Sequence, residues 1–290
     1  MVKPAGMRWF SFRFFRVFRW SPPPIMHDKI QHLHEILAAH SPLVIAYSGG
    51  VDSAYLLAVA QEVLGGQALA VIADSASLPR QALADAVALA EQIGARVEVV
   101  PTEELANPDY ASNPLNRCYF CKAELFTRLD ALARDRKFAA IAYGENADDA
   151  MQFRPGRQAA AEFSVIAPLK EAGLTKAEIR AHSRELGLPT ADAPAQPCLS
   201  SRIPHGTPVT SQALGMIERG EALIRARGFR VFRVRHVVEN GTATARVQID
   251  PAEMGGLAAV EGEIRTGLLA IGYRDVELDP QGYRVPQAVQ

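Results

Sequence analysis

The sequence predicts an α/β protein in which a parallel sheet covered by helices is followed by a smaller α+β unit. Three observations carry that prediction. Between residues 43 and 100, short apolar runs alternate with longer amphipathic ones, the order of successive βαβ units with parallel strands buried on both faces. The first of these strands ends at a Ser-Gly-Gly turn that runs straight into a helix. Beyond residue 207 the order becomes helix, strand, strand, helix, strand, with Asn240-Gly241 as a hairpin signal between two alternating runs. The expected division is an extension over 1–25, a first domain over 26–189, a linker over 190–206 carrying Cys198, and a small domain over 207–290.

Composition sets the bounds. The chain has 290 residues, enough for two modest cores, and its 48% hydrophobic and 22% charged residues are those of an ordinary soluble protein. A net charge of −1 exerts no global pull toward nucleic acid or an anionic membrane. No run approaches the roughly 18 apolar residues of a membrane span. Three cysteines in a chain of this length argue against a disulfide framework and for a reducing, cytoplasmic setting, where clustered thiols are ligands or reagents.

The elements follow in order. Residues 1–21 carry Lys3, Arg8, Arg13, Arg16 and Arg19 among seven Trp and Phe residues, with no acid. Such an arm could touch RNA or a membrane surface, but the plainer expectation is a disordered extension before Met26. Without its five cations the remainder carries −6, which further disfavours nucleic acid. A helix over 25–39 then precedes strands at 43–47, 68–74 and 96–100, interleaved with helices at 53–64 and 79–93. An irregular stretch ends at Arg117-Cys118-Tyr119-Phe120-Cys121-Lys122, followed by a helix over 122–134, a strand over 138–143 and a polar turn containing Glu145 and Asp148. Residues 151–161, broken by Pro155-Gly156, read as a mobile loop, and 165–169 as the last sheet strand. Thr175-Lys176-Ala177-Glu178 has capping-box spacing and opens a helix to about residue 186. The small unit is expected as helix 211–227, strands 231–238 and 242–249, helix 251–269 and strand 274–278, with an antiparallel sheet.

Chemistry concentrates at two places. At the first, Ser48, Gly49, Gly50, Val51, Asp52 and Ser53 join strand to helix, so that backbone N–H groups point outward at the positive end of the helix. The glycines admit a close-lying ligand, and the two serines add hydroxyls, a setting suited to phosphate. No lysine follows the glycines, so the Walker-A pattern is not met. The stretch resembles the Ser-Gly-Gly-x-Asp-Ser signature of the PP-loop ATP pyrophosphatases, which split ATP into AMP and pyrophosphate. That resemblance implies that the turn beginning at Asp74 borders the adenine and ribose, that Mg²⁺ offsets the phosphate charge, and that Asp52 supports the loop or the metal.

At the second place, Cys118 and Cys121 have the spacing that lets two thiolates face one metal or cluster, and Cys198 sits where the two domains should meet. Zinc would want a fourth ligand, for which His205 is the nearest candidate, whereas a 4Fe–4S cluster on three thiolates keeps one iron open for a sulfide. A redox disulfide and simple buried cysteines are the other readings. Arg117 and Lys122 flank the pair and would lower its thiol pKa values. Arg233 and Arg235 alternate on one strand and so share a face, either for an anion or for solvent. Glu145 and Asp148 are candidate ligands for a divalent metal, with a polar loop end as the alternative.

Taken together, the 48–53 turn, the Cys118–Cys121 motif, residues 168–189 and Cys198-Leu199-Ser200-Ser201-Arg202-Ile203-Pro204 resemble the LarE-type ATP-dependent sulfur transferases over residues 26–278. The resemblance implies adenylation of the carboxylates of pyridinium-3,5-biscarboxylic acid mononucleotide and their conversion to thiocarboxylates during nickel-pincer cofactor synthesis. In one branch the cysteine matching Cys198 gives up its own sulfur. The other branch also has the CxxC pair and uses a 4Fe–4S cluster, and this chain has all three positions. Arg202, Arg233 and Arg235 match arginines for the substrate phosphate, and the family implies a homo-oligomer with a sulfur donor that the sequence does not identify. Ala195-Gln196-Pro197 stands where the single-cysteine branch has Ser-Ser-Ala, a departure that bears on the loop geometry before Cys198. The rival reading is a PP-loop tRNA thiolase with an iron–sulfur cluster, which would need a basic surface beyond the N-terminal arm.

Overall fold

The computed structural model describes residues 24–151, 155–194 and 197–283. Most of the N-terminal arm, Arg154 and the pair Ala195-Gln196 lie outside the described residues. The chain opens with α1 (Pro24–Ala39), and β1 (Leu43–Ala46), α2 (Val51–Leu64), β2 (Ala68–Asp74), α3 (Arg80–Ile93) and β3 (Arg96–Pro101) follow. The short α4 (Pro108–Ala111), the long α5 (Arg117–Asp135) and β4 (Ala140–Tyr143) complete a four-stranded parallel sheet in the order β3-β2-β1-β4. Alternate residues of β1 serve opposite faces. Leu43 and Ile45 pack with Leu56, Leu57 and Leu89 under α2 and α3, whereas Val44 and Ala46 pack with Phe126 and Leu129 of α5. Both faces of the sheet are therefore buried, as a parallel sheet requires.

Three expectations are corrected in this part of the chain. The CxxC pair lies inside α5 rather than before it, because the helix starts at Arg117. Residues 165–169 contribute no full strand: Ile166 makes a single parallel bridge to Ala142, and Pro168, which lacks an N–H for a ladder, starts the short α7 (Pro168–Glu171). Part of the expected mobile loop is α6 (Gly156–Glu162), packed against α5 through Ala159 and Ala160. The capping box is present, with Thr175 and Glu178 satisfying each other's backbone at the start of α8 (Lys176–Glu185).

The second unit comprises α9 (Ser211–Arg225), β5 (Phe232–Glu239), β6 (Thr242–Ile249), α10 (Leu257–Ile271) and β7 (Asp275–Leu278). β5 and β6 pair antiparallel across Asn240 and Gly241, both with positive φ, as a tight hairpin turn demands. The sheet is mixed rather than antiparallel, because β7 returns through α10 to lie parallel to β6. Its apolar face, with Phe232, Val234, Val247 and Ile249, packs on α9 and α10. The opposite face carries Arg233, Arg235, Arg246 and Gln248, and turns toward the 198–205 segment. A further apolar cluster of Tyr110, Leu199, Ile203, Val209 and Ile217, joined by Phe120 and Cys121, fills the space between the two sheets.

Candidate functional site

The glycine turn sits at the carboxyl end of β1, beyond the strands of the sheet, where ligands bind in such folds. Its hydroxyls hold the turn itself. Ser53 Oγ donates to the Gly50 carbonyl at 3.1 Å, receives the Ser48 N–H at 3.3 Å and meets Ser48 Oγ at 3.1 Å. Gly49 takes φ +73°, and a Cβ there would stand 2.7 Å from that of Ala86 in α3. Gly144, just past β4, is packed as closely: a Cβ would lie 2.8 Å from the Ser53 nitrogen. Gly50 caps α2 without any side-chain hydrogen bond, so the first N–H groups of that helix stay available to a ligand. Asp52 accepts from Lys176 Nζ at 2.6 Å through one oxygen, while its other oxygen is buried without a hydrogen-bond partner. Val51 is buried and anchors the first turn of α2 in the core.

Around this turn, charged groups are already engaged. Asp74 pairs with Arg80 at 2.5 Å, and Arg80 also donates to the carbonyls of Ser75 and Leu78. The Arg80 backbone N–H is capped by Glu218 of α9 at 2.6 Å, a direct tie between the two units. Glu145 is buried between Arg157 at 2.8 Å and Lys170 at 3.3 Å and accepts from the Tyr143 hydroxyl. Burial alone would raise its carboxyl pKa, but Tyr143 and Lys170 hold it below the usual carboxylate value. Asp148 accepts the Lys176 N–H at 2.8 Å. Both carboxylates considered for a divalent metal therefore have protein partners.

The segment that carries Cys198 is moored to the turn that follows β2. The N–H of Leu199 donates to the Ser77 carbonyl at 2.8 Å. Cys198 Sγ lies 3.1 Å from Ser200 Oγ, which receives the Tyr110 hydroxyl at 3.2 Å, and Tyr110 meets Ser77 Oγ at 2.6 Å. Nothing in the sequence marked Tyr110, Ser77 or Ser200 for this role, since polar residues in irregular segments carry no periodicity. Arg117, buried, holds the same turn by donating to the Ser200 carbonyl at 3.0 Å and to Asn113.

The thiols gather here. Cys118 and Cys121 each feel the charge of Cys198, and Cys121 also feels Glu104. Desolvation outweighs the flanking cations. It pushes the Cys121 thiol up to about 12 and also raises that of Cys118, so the expected lowering by Arg117 and Lys122 is reversed. Among the described residues, no group of three or more His, Cys, Asp or Glu side chains stands ready to hold a metal ion. Three thiols are present in this region, without a preformed coordination geometry.

The arginines divide into two kinds. Arg202, 3% exposed, forks onto Glu221 at 2.8 and 3.2 Å, and its remaining nitrogen donates to the Pro197 and Cys198 carbonyls and to Ser201 Oγ. Arg233 is buried against Tyr283, 4.6 Å from the ring centroid. Arg235 is more open, donating to Gln248 at 2.9 Å and to the Ser201 carbonyl at 2.7 Å. Burial, followed by the neighbouring Arg202 charge, lowers the pKa of both Arg233 and Arg235. Like charges held together out of water favour an anionic guest. A cavity of about 400 Å³ opens beside them, lined by Arg117, Arg202, Arg235, Arg246, His205 and Gln248 among others. Arg246 and His205 were not expected there; Arg246 arrives because its position in β6 lies opposite Arg235.

Comparison with known proteins agrees with this arrangement. Residues 26–149 match the NAD synthase family model. The chain is 40% identical over 262 residues to an uncharacterized protein of Synechocystis sp., covering 90% of this chain and 96% of that one. It is 26% identical over 193 residues to an uncharacterized protein of Methanocaldococcus jannaschii, covering 67% and 73%. It is 31% identical over 243 residues to the pyridinium-3,5-bisthiocarboxylic acid mononucleotide synthase of Lactiplantibacillus plantarum, covering 83% and 87%. With similarity of that extent over most of both chains, the chain belongs to the LarE-type family of pyridinium-3,5-bisthiocarboxylic acid mononucleotide synthases.

Proposed function

We propose that this protein is an ATP-dependent sulfur transferase that converts the carboxylates of pyridinium-3,5-biscarboxylic acid mononucleotide to thiocarboxylates, as the name of its L. plantarum relative indicates. The observation that supports the reading is the hydrogen bond from Leu199, the residue after Cys198, to the Ser77 carbonyl in the turn that follows β2, with the Cys198 thiol against Ser200 Oγ. A carboxylate is a poor electrophile, and transfer of AMP to it creates a mixed anhydride with a good leaving group. The uncapped start of α2 receives the ATP phosphates, and Asp52 offers its unpartnered oxygen to Mg²⁺. The cavity beside Arg235 and Arg246 takes the substrate phosphate, since forked guanidinium groups suit that anion. Arg202 serves this site by holding the Cys198 turn in place.

Sulfur is supplied at the three-cysteine site. A 4Fe–4S cluster, held by Cys118, Cys121 and Cys198, would supply a transferable sulfide when bound. In its absence Cys198, whose thiol meets Ser200 Oγ, is itself the sulfur donor. The division of labour assigns nucleotide activation to residues 26–189 and substrate binding to 207–290, joined by the segment carrying Cys198.

The test is a Cys198→Ala variant given ATP and the pyridinium substrate. It is expected to release pyrophosphate while forming no thiocarboxylate; thiocarboxylate formation at the wild-type rate would refute the role of Cys198. Iron and sulfide counts on anaerobically prepared protein, with Cys118→Ala and Cys121→Ala alongside, decide between the two sulfur sources. Cluster loss in all three variants supports shared ligation, whereas loss of one protein sulfur per turnover supports Cys198 as donor.

A further inference from the structure

The glycine turn and the Cys198 turn are joined by a closed circuit of contacts that runs through two helices. Gly49 lies so close to α3 that a Cβ on it would stand 2.7 Å from that of Ala86. The start of α3 has no cap from its own segment, since Pro79 makes no side-chain hydrogen bond there. Glu218 of α9 supplies the missing partner, accepting the Arg80 N–H at 2.6 Å with a carboxylate, the charge that suits a helix N-terminus. One turn farther along α9, Glu221 holds Arg202 at 2.8 Å, and Arg202 donates to the Cys198 carbonyl at 3.2 Å. The circuit closes where the Leu199 N–H donates to the Ser77 carbonyl at 2.8 Å, in the turn that leads into α3.

We propose that Glu218 is a positioning residue that couples occupancy of the glycine turn to the geometry of the Cys198 turn. The inference rests on the nucleotide reading above and adds a residue that acts on both turns through other groups. A phosphate seated at the start of α2 fixes Gly49 against Ala86, and α3 and α9 are packed, rigid elements that carry the restraint onward. Arg80 donates to Asp74, Ser75 and Leu78, so the turn after β2 and the start of α3 move as one body. Arg202 and Glu221 are both buried, and that pair cannot yield without stranding a charge. The Leu199–Ser77 bond by itself fixes a point and leaves the Cys198 segment free to pivot about it. A second attachment, through Glu218, fixes its orientation. The Glu218–Arg80 bond is exposed to solvent, so water can replace it and neither unit loses a buried contact. Glu218 is thus the joint at which the two turns can be uncoupled, and with it in place the Cys198 segment is held most firmly when nucleotide is bound, the condition under which sulfur is needed.

Peptide-resolved hydrogen exchange on the full chain, with and without Mg-α,β-methylene-ATP, tests the coupling. In the wild type the nucleotide is expected to slow exchange over residues 199–203 about fivefold, together with the amides at the start of α3. Glu218→Ala should cut the slowing at 199–203 to less than about twofold while nucleotide affinity, measured by calorimetry, stays within about threefold. Glu218→Gln, whose amide oxygen still accepts the Arg80 N–H, should restore the slowing. Full slowing in Glu218→Ala would overturn the proposal. So would a wild type that binds the nucleotide without slowing at 199–203, a result that needs no variant to fold. Turnover separates positioning from a merely structural role: Glu218→Ala should release pyrophosphate at near the wild-type rate but form less thiocarboxylate per pyrophosphate, and equal loss of both products would refute the coupling. A wild-type chain that binds no nucleotide would refute the nucleotide reading itself, a result distinct from failure of the Glu218 assignment.

Discussion

The turn at 48–53 and the turn at 198–202 do comparable work by opposite means. The first closes on itself, with Ser48, Gly50 and Ser53 joined by hydrogen bonds that span at most five positions. The second is held from Ser77, Tyr110, Arg117, Glu221 and Arg235, which come from five separate parts of the chain. A self-contained turn tolerates the loss of one contact because its conformation is already encoded locally. A turn assembled from distant groups depends on buried polar pairs, each of which leaves a costly orphan if broken.

The largest test of this contrast is Arg202→Met, which strands Glu221 as a buried carboxylate and should lower stability by about 3–5 kcal/mol in urea denaturation. A cost below about 1 kcal/mol would mean that the 198–202 turn does not depend on its long-range anchors. Alkaline titration comes next. Because the folded Cys121 thiol binds its proton more tightly than the unfolded one, its contribution is intact below about pH 9 and drains away as pH rises toward about 12. The unfolding free energy from denaturation should fall over that window by about a few kcal/mol, and Cys121→Ala should flatten the fall. An unchanged slope in the variant would place the titrating group elsewhere.

Gly144→Ala forces a methyl group against the Ser53 backbone and should cost about 1–3 kcal/mol while weakening ATP binding, measured by calorimetry. Normal ATP affinity in a folded variant would show that the glycine turn is insensitive to the strand end packed behind it. Ser200→Ala breaks the hydroxyl chain between Cys198 and Tyr110 and should cost about 1–2 kcal/mol, with an altered alkylation rate at Cys198. An unaltered alkylation rate would remove Ser200 from the positioning of that sulfur. Smallest of all, Ser48→Ala deletes two hydroxyl contacts of the local turn, to Ser53 Oγ and the Gly50 N–H, and should shift stability by less than about 1 kcal/mol. A larger loss would erase the contrast between the two turns.

The cysteines and arginines show how far the sequence could be read. Spacing placed Arg233 and Arg235 on one face of β5, because strand periodicity is local, and the face is as expected. Their surroundings were another matter: Arg233 is covered by Tyr283, and Arg202 is committed to Glu221, a residue nineteen positions away on α9. The flanking cations of the CxxC pair predicted acidic thiols, yet for Cys121 burial against the inter-sheet apolar cluster reverses the direction. Pro168 explains why an apolar run that looked like a strand makes only one bridge.

Chain order, glycine placement and side-chain period determined the parallel sheet, the 48–53 turn, the capping box before α8 and the hairpin at Asn240-Gly241, because each depends on contacts a few residues apart. Tertiary structure alone decided that Lys176 meets Asp52, that Tyr110 and Ser77 hold the Cys198 turn, and that Arg202 braces that turn at the cavity wall while Arg233 is covered by Tyr283. Those outcomes turn on burial and on groups brought together from separate parts of the chain, and a one-dimensional pattern contains neither dielectric nor distance.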